Sequence, residues 1–156
     1  KLAELVRPFL VKEQIISEDQ GLDTAWLARA IHTLQERAKT LVELAGSLRY
    51  YIAEDVVFSD KAKEKFLNEK SRGLLRELKE GLIALPGFSK SEIENLFKGI
   101  VERHGVKLGA LAQPVRVAMT GGSESPGIYE VLEVLGKERV LNRLEKAISM
   151  IGGGEL

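Results

Sequence analysis

The sequence predicts an all-α fold. Along most of the 156 residues, apolar side chains recur at intervals of three and four, the spacing that places them on one face of a helix. No stretch alternates apolar and polar residues over a useful length, as a half-buried strand would. The pattern Ser/Thr-x-x-Glu, typical of helix starts, occurs at residues 40–43 and 89–92. We therefore expect a protein built of helices, with soft boundary candidates at Pro86 and Gly105.

Three helices are expected in the first part of the chain. The first covers about 2–12, and Pro8 predicts either a kink in it or a later start. The second covers 23–37, with Trp26 on its apolar face, so that Trp26 is interpreted as a core residue rather than a platform for base stacking. The third opens at 40–43, where a threonine and a glutamate are spaced to satisfy each other's backbone N–H groups.

The middle of the chain predicts three more helices. A short charged helix is expected at about 60–68, capped by Ser59, and a leucine-rich helix at 71–85 before Pro86. A further helix should open at 89–92 and end at Gly105. Lysines and arginines are frequent between the first two of these helices, but acidic residues interleave with them. A solvated face is the favoured interpretation, and a phosphate-facing patch is the alternative.

The last third of the chain predicts three short helices separated by breaks. Ser125 is a good N-cap, and Pro126 sits where a first helical residue tolerates proline. Gly136 suits the left-handed position that ends a helix. The turn at 120–123 would then bring backbone donors and the nearby Arg116 together, which suits an anion or the acceptor edge of a base. The alternative is an ordinary Gly-Ser-Pro connector.

Composition limits the function classes. The chain carries 23 basic and 23 acidic side chains and no cysteine, and 44% of it is hydrophobic, as in a soluble globular protein. Zero net charge does not by itself suggest a nucleic-acid partner. No apolar run is long enough for a membrane span, so we expect no membrane partner. His32 and His104 lack carboxylates at ligand spacing. We therefore predict no catalytic residue and no metal site.

Several segments, in order, carry a family resemblance. The longest, residues 113–148, reads QPVRVAMTGGSESPGIYEVLEVLGKERVLNRLEKAI, and upstream segments are RAKTLVEL, LPGFSKSEIENLFKGI and HGVKLGAL. This series resembles the C-terminal end of bacterial glutamyl-tRNA synthetases, with their pattern Gln-Pro-Leu-Arg-x-Ala-Leu-Thr-Gly, then Pro-Gly, then Leu-Gly-Lys-Glu. It covers essentially all of the chain. The sequence has no His-Ile-Gly-His-like or Lys-Met-Ser-Lys-Ser-like motif, so the resemblance is to the anticodon-binding part without the catalytic domain.

The resemblance implies a fold and a partner. It implies a helical cage of two packed subdomains, 1–105 and 106–156, that binds the anticodon loop of tRNA-Glu. The parent enzyme would ligate glutamate to tRNA-Glu with ATP and Mg²⁺, whereas this part would have no cofactor and no activity alone. Its other partner would be its own catalytic domain. A cytoplasmic, monomeric protein is expected.

The resemblance also implies the binding residues. Arg37 matches a family position that faces the third anticodon base, and Arg116 matches one that helps to read the first base. Ser125, Pro126 and Ile128 match the loop contacts beside it. The alternative for Arg37 is an exposed residue that helps to cap a helix C-terminus. The alternative function is a helical protein-interaction scaffold without an RNA partner, which the neutral charge and apolar stripes also allow.

Overall fold

The computed structural model describes residues 2–54, 56–123 and 125–153. Over these ranges the chain forms nine α-helices and no strand, so the all-α prediction is confirmed. The helices are α1 (Leu2–Lys12), α2 (Thr24–Leu34), α3 (Leu41–Ile52), α4 (Asp60–Phe66), α5 (Glu69–Ala84), α6 (Lys90–His104), α7 (Leu108–Thr120), α8 (Ile128–Leu135) and α9 (Lys137–Gly153). None of these helices is both long enough and apolar enough to cross a membrane.

The chain groups into two compact units, Lys1–Glu54 and Asp55–Leu156. The first contains α1 to α3 and the second contains α4 to α9. The predicted boundary at 105 lies inside the second unit, between α6 and α7, which pack against each other. Gly105 does end a helix, in the left-handed conformation with φ 62°, but the chain after it returns to the same core. That 1–105 and 106–156 act as separate subdomains towards RNA stays a prediction.

The first unit is a three-helix cluster in which α1 packs against α2 and α3. Leu10 and Leu48 are fully buried in its core. Trp26 lies edge-on to the buried Tyr51, with ring centroids 6.4 Å apart, and the Tyr51 hydroxyl is 2.7 Å from the hydroxyl of Thr33. Trp26 itself is half-buried, so it packs at the edge of this core while part of its side chain stays exposed. Pro8 lies within α1, which begins before it.

The predicted capping boxes are formed to different degrees. At the start of α6, Ser89 accepts a hydrogen bond from the Glu92 amide, and the Glu92 carboxylate accepts one from the Ser89 amide. At the start of α3, Thr40 accepts from the Glu43 amide at 3.0 Å, but the Glu43 carboxylate accepts from the amide of Lys39 instead of Thr40. The capping box at the start of α3 is therefore only half formed.

An unpredicted capping box sets the start of α5. Asn68 accepts a hydrogen bond from the Ser71 amide at 3.2 Å, and the Ser71 hydroxyl accepts one from the Asn68 amide at 3.0 Å. The helix consequently begins at Glu69, two residues before the predicted start. Asparagine followed three residues later by serine is a variant of the usual box, which ends in glutamate or glutamine.

In the second unit, α5 contacts α6, α7 and α9. The Lys137 ammonium, at the start of α9, donates to the carbonyl of Leu85 at 2.8 Å and to that of Ile83 at 3.2 Å. It therefore satisfies carbonyl groups at the C-terminal end of α5, where a positive charge is favoured. Lys137 belongs to the Leu-Gly-Lys-Glu segment, and these two hydrogen bonds explain why a lysine suits that position of the motif.

Candidate nucleic-acid interface

Arg116 lies on α7, one turn before its end, and is half-buried. Its Nε donates to the hydroxyl of Ser125 at 2.8 Å, and its Nη1 donates to the side-chain oxygen of Gln113 at 3.2 Å. Gln113 is one helical turn before Arg116, whereas Ser125 comes from the loop after α7. Two bonds from different segments thus orient the planar guanidinium, and the structure brings two of the predicted site residues into direct contact.

The prediction that Ser125 caps α8 is wrong. The helix begins at Ile128, and its N-cap is Gly127, which provides no side-chain hydrogen bond. The Ser125 hydroxyl donates to the carbonyl of Pro126 at 2.7 Å and accepts from Arg116. The guanidinium therefore takes the oxygen that would have accepted a helix N–H. Pro126 consequently precedes the helix instead of forming its first residue.

Pro126 and Ile128 are buried in the second unit, and Ile128 is only 4% exposed. Their side chains therefore support the loop from the core side. Of the predicted loop residues, the structure places Ser125 beside Arg116 at a half-exposed position and the other two beneath the surface. A contact of Pro126 or Ile128 with RNA stays a prediction.

A glycine turn fixes the path of the loop after α7. Gly121 ends the helix with φ 85°, in the left-handed region, and its carbonyl accepts a hydrogen bond from the Ser59 amide at 2.8 Å. A Cβ at this position would lie 2.0 Å from the backbone oxygen of Val57. The Thr120 hydroxyl closes the turn by donating to the Arg116 carbonyl at 2.9 Å and accepting from the Gly122 amide. Only glycine fits between this turn and the 56–59 segment.

Arg143 holds the end of α7 from below. It is 3% exposed, and its Nη1 donates to the carbonyl of Met119 at 2.6 Å. A buried guanidinium at a helix C-terminus satisfies an orphan carbonyl and complements the negative end of the helix dipole. Sequence reasoning missed this role, although a signal existed: Arg143 occupies a stripe position between the buried Val140 and Ala147.

Replacing Arg143 by leucine should destabilise the chain by about 2 kcal/mol, because it removes a charge-assisted hydrogen bond and leaves the Met119 carbonyl buried without that donor. Urea unfolding measures the change. Asn142→Leu, at the exposed neighbouring position, is the control and should change the free energy of unfolding by less than about 0.5 kcal/mol. Equal stability of the two variants would show that Arg143 does not support α7.

Arg37 lies in the turn that follows α2 in the first unit. The predicted helix to residue 37 is three residues too long, since α2 ends at Leu34. The Arg37 amide donates to the Leu34 carbonyl at 2.9 Å, and its side chain is exposed. Burial raises the pKa of the Tyr50 phenol, Tyr51 adds to this rise, and the positive charge of Arg37 opposes it.

The two predicted reader arginines belong to different compact units. Each presents a group that only donates hydrogen bonds, one oriented by neighbours and one exposed on a turn. Such groups suit phosphate oxygens and the acceptor edges of bases. Across residues 2–54, 56–123 and 125–153, no group of three or more histidine, aspartate or glutamate side chains could hold a metal ion. Donor groups of this kind can bind a ligand that is rich in hydrogen-bond acceptors.

A family model described as the anticodon binding domain matches residues 1–148. The chain belongs to this family. This anticodon-binding domain is 52% identical, over 148 residues, to a glutamate–tRNA ligase of Thermodesulfovibrio yellowstonii, and the match covers 95% of the chain and 32% of the ligase. It is 43% identical over 150 residues to the glutamate–tRNA ligase of Syntrophobacter fumaroxidans, covering 96% of the chain and 31% of that ligase. The domain thus spans about a third of the length of these relatives.

A solved structure has the same fold. The crystal structure of a glutamate tRNA ligase from Elizabethkingia meningosepticum in complex with its amino acid superposes with a TM-score of 0.81. The match covers 97% of the anticodon-binding domain and 30% of that chain, at 22% sequence identity. The helical architecture is therefore shared at low identity.

Proposed function

We propose that this domain recognises the anticodon loop of tRNA-Glu as the C-terminal part of a glutamate–tRNA ligase. In the full enzyme, a catalytic domain would ligate glutamate to tRNA-Glu in the cytoplasm, using ATP and Mg²⁺, with the enzyme acting as a monomer. The family match over 1–148 and the two ligase relatives support the partner. The observation that carries the proposal is the Arg116 guanidinium, oriented by Gln113 and Ser125.

At the first anticodon base, Arg116 has chemically suitable partners. Glutamate anticodons carry cytosine or uracil there, and both bases present an O2 acceptor. A side chain that only donates can serve both. The bonds to Gln113 and Ser125 hold the guanidinium in one plane, so the arginine loses less freedom when it binds a base. Arg116 would therefore accept both glutamate anticodons.

At the third anticodon base, Arg37 would distinguish cytosine from guanine. Cytosine presents two acceptors, O2 and N3, on its Watson–Crick edge, whereas guanine presents two donors and one acceptor. A guanidinium facing guanine would leave donors unpaired, at a cost of about 1–3 kcal/mol, or roughly ten- to a hundredfold in affinity. Glutamate anticodons end in C and glutamine anticodons end in G. Arg37 would therefore favour tRNA-Glu over tRNA-Gln.

Arg37→Gln should reduce this preference. The wild-type chain is expected to bind an anticodon stem-loop with C as the third anticodon base at least about tenfold more tightly than the same stem-loop with G at that position. Glutamine both donates and accepts, so the variant should bring the ratio of the two dissociation constants below about threefold. Fluorescence anisotropy with both RNAs measures the ratio, and NMR shifts in the wild type locate the RNA near Arg37 and Arg116.

The control for this experiment is Lys39→Gln, an exposed change two residues away that removes one positive charge. It should weaken both RNAs alike and keep their ratio. An unchanged ratio in Arg37→Gln would refute Arg37 as the reader. In the full enzyme, similar charging efficiencies for tRNA-Glu and tRNA-Gln would contradict the proposed discrimination.

The alternative function, a helical protein-interaction scaffold without an RNA partner, is not favoured. The family match concerns an anticodon binding domain. The large apolar side chains that are exposed lie on different elements, apart from two that are near neighbours in sequence. These six exposed apolar residues are Leu5, Val42, Val57, Ile83, Val106 and Leu108. Scattered apolar side chains of this kind are normal on soluble proteins.

A further inference from the structure

A groove of about 550 Å³ lies in the second unit, where α4, α5 and the ends of α6 and α7 meet. Its floor is apolar, with Phe66, Leu74 and Pro114 among its lining residues. Gly109 and Ala110, in the first turn of α7, also line it. The groove is separate from the Arg116 loop, but it borders the same helix.

The charges of the groove are of one sign. Its lining includes Lys65, Lys70 and His104 and no aspartate or glutamate, although the chain as a whole carries 23 basic and 23 acidic side chains. Lys65 and Lys70 are exposed, and within the described ranges neither forms an ion pair. The Lys65 ammonium lies 5.3 Å from the centre of the Phe66 ring, a contact that helps to hold the charge at the groove.

The carboxylate of Glu77, which contacts the groove residue His104, has two partners. Glu77 bonds to the His104 ring at 2.7 Å and also to the guanidinium of Arg103. Hydrogen bonds from His104 and then Arg103 lower the pKa of Glu77. Its carboxylate therefore already has two hydrogen-bond partners, neither of which is Lys65 or Lys70.

Helix α7 connects the groove to the Arg116 loop. Gly109 borders the groove and Arg116 lies seven residues later on the same helix, about 10 Å along its axis at 1.5 Å per residue. At about 100° per residue, Gly109 lies about 20° from Arg116 around the helix, whereas Ala110 and Pro114, which also line the groove, lie about 120° and 160° away. A strand that runs from Arg116 to the groove would therefore cross α7 obliquely as it moves along the helix axis.

We propose that this groove binds the phosphodiester backbone of the RNA strand whose base contacts Arg116. The proposal rests on the proposed function, since it assumes an RNA at Arg116. Phosphate contacts position a nucleic acid and base contacts specify it. Lysine ammonium groups are suitable partners for phosphate. A chain with no net charge can thus attract RNA where lysines without an ion pair among the described residues, such as Lys65 and Lys70, lie along the path of the backbone.

The test compares two pairs of exposed lysines in the 156-residue chain. The double variant Lys65→Gln and Lys70→Gln removes the groove charges, and the double variant Lys61→Gln and Lys63→Gln removes two charges from α4 that do not line the groove. Binding of the tRNA-Glu anticodon stem-loop is measured between about 50 and 200 mM salt. The same stem-loop with G instead of C as the third anticodon base is measured in parallel. Thermal unfolding should be the same in both variants.

The groove variant should bind about tenfold more weakly at the lowest salt, and the slope of log affinity against log salt should fall by about 1.4, the value for two phosphate contacts on a single strand. Its preference for C over G should stay, because phosphates carry no sequence information. The control pair should change the slope by less than about 0.5. Equal losses in the two variants would overturn the groove proposal.

The outcomes separate this proposal from the proposed function. If the wild type binds the stem-loop but the groove variant binds it equally well with the same slope, the groove does not hold RNA and the groove proposal is overturned, while the proposed function stands. If the wild type does not bind the stem-loop at low salt, the proposed function of the chain fails, and the groove proposal fails with it.

Discussion

Replacing Gly121 by alanine is expected to destabilise the second unit by about 3 kcal/mol or more. A residue with a side chain at φ 85° costs about 1–3 kcal/mol in backbone strain. Its Cβ would also lie 2.0 Å from the Val57 oxygen and 2.9 Å from Val56 Cγ1. Because the first of these atoms belongs to the backbone, the 56–59 segment would have to shift, and the bond from the Ser59 amide would be lost. Urea unfolding followed by circular dichroism measures the effect.

Gly122→Ala is the matched control. A Cβ at Gly122 would meet no atom within 4 Å, and its φ lies outside the left-handed range. The variant should be within about 1 kcal/mol of the wild type, since alanine for glycine at a compatible position also reduces the entropy of the unfolded chain. A Gly121→Ala variant as stable as Gly122→Ala would show that the turn can move away from Val57 without cost.

Arg116→Leu is expected to weaken binding of the anticodon stem-loop about a hundredfold. The change removes the proposed base contact, which would be worth about 1–3 kcal/mol for a well-oriented arginine, together with one positive charge at the proposed RNA site. The Ser125 hydroxyl stays half-exposed and can bond to water, so the fold should persist. Isothermal titration calorimetry with the stem-loop measures the loss, and the unfolding midpoint verifies the fold.

Arg116→Lys separates base reading from charge. Lysine keeps the positive charge but lacks the planar guanidinium, which donates to Gln113 and to Ser125 at the same time. If Arg116 reads a base, Arg116→Lys should lose most of the affinity that Arg116→Leu loses. Binding of the lysine variant at the wild-type level would mean that Arg116 acts only as a charge, contrary to the proposed role.

The parts of the fold that depend on neighbouring residues could be predicted from the sequence. The α6 start at Ser89 and its end at Gly105 follow from hydrogen bonds within one turn of the chain. The start of α5 was placed two residues late because Asn68 and Ser71 form an unusual version of a local motif. Errors of this size are typical of helix ends, where several residues compete to cap the same groups.

The roles of side chains whose partners are distant in the sequence could not be predicted. Ser125 has the composition of an N-cap, but the guanidinium of Arg116 takes its oxygen. Gly121 could be recognised as a turn residue, whereas the reason for glycine there is the Val57 backbone, far away in the sequence. Arg143 shows the same limit, because its carbonyl partner lies on another helix.

The candidate site was predicted only in part. Arg116 and Arg37 were identified through resemblance, since a chain with no net charge gives little sign of an RNA partner. The sequence did place Arg116 near the turn that follows it, and the bond to Ser125 agrees with that neighbourhood. The burial of Pro126 and Ile128 could not be predicted from the sequence. An irregular loop between glycines has no regular repeat of apolar residues that would show which side chains face the core.

The bond between Ser59 and Gly121 has a consequence for the order in which the second unit assembles. It joins two segments separated by the whole of α4 to α7, and contacts between distant segments form only after the entropy of closing the intervening loop has been met. Helix α7 can form from local hydrogen bonds before that, whereas the turn beyond it is completed only when the 56–59 segment reaches it. A local opening of this one contact would release the turn that leads to Ser125 while the helices of the second unit persist.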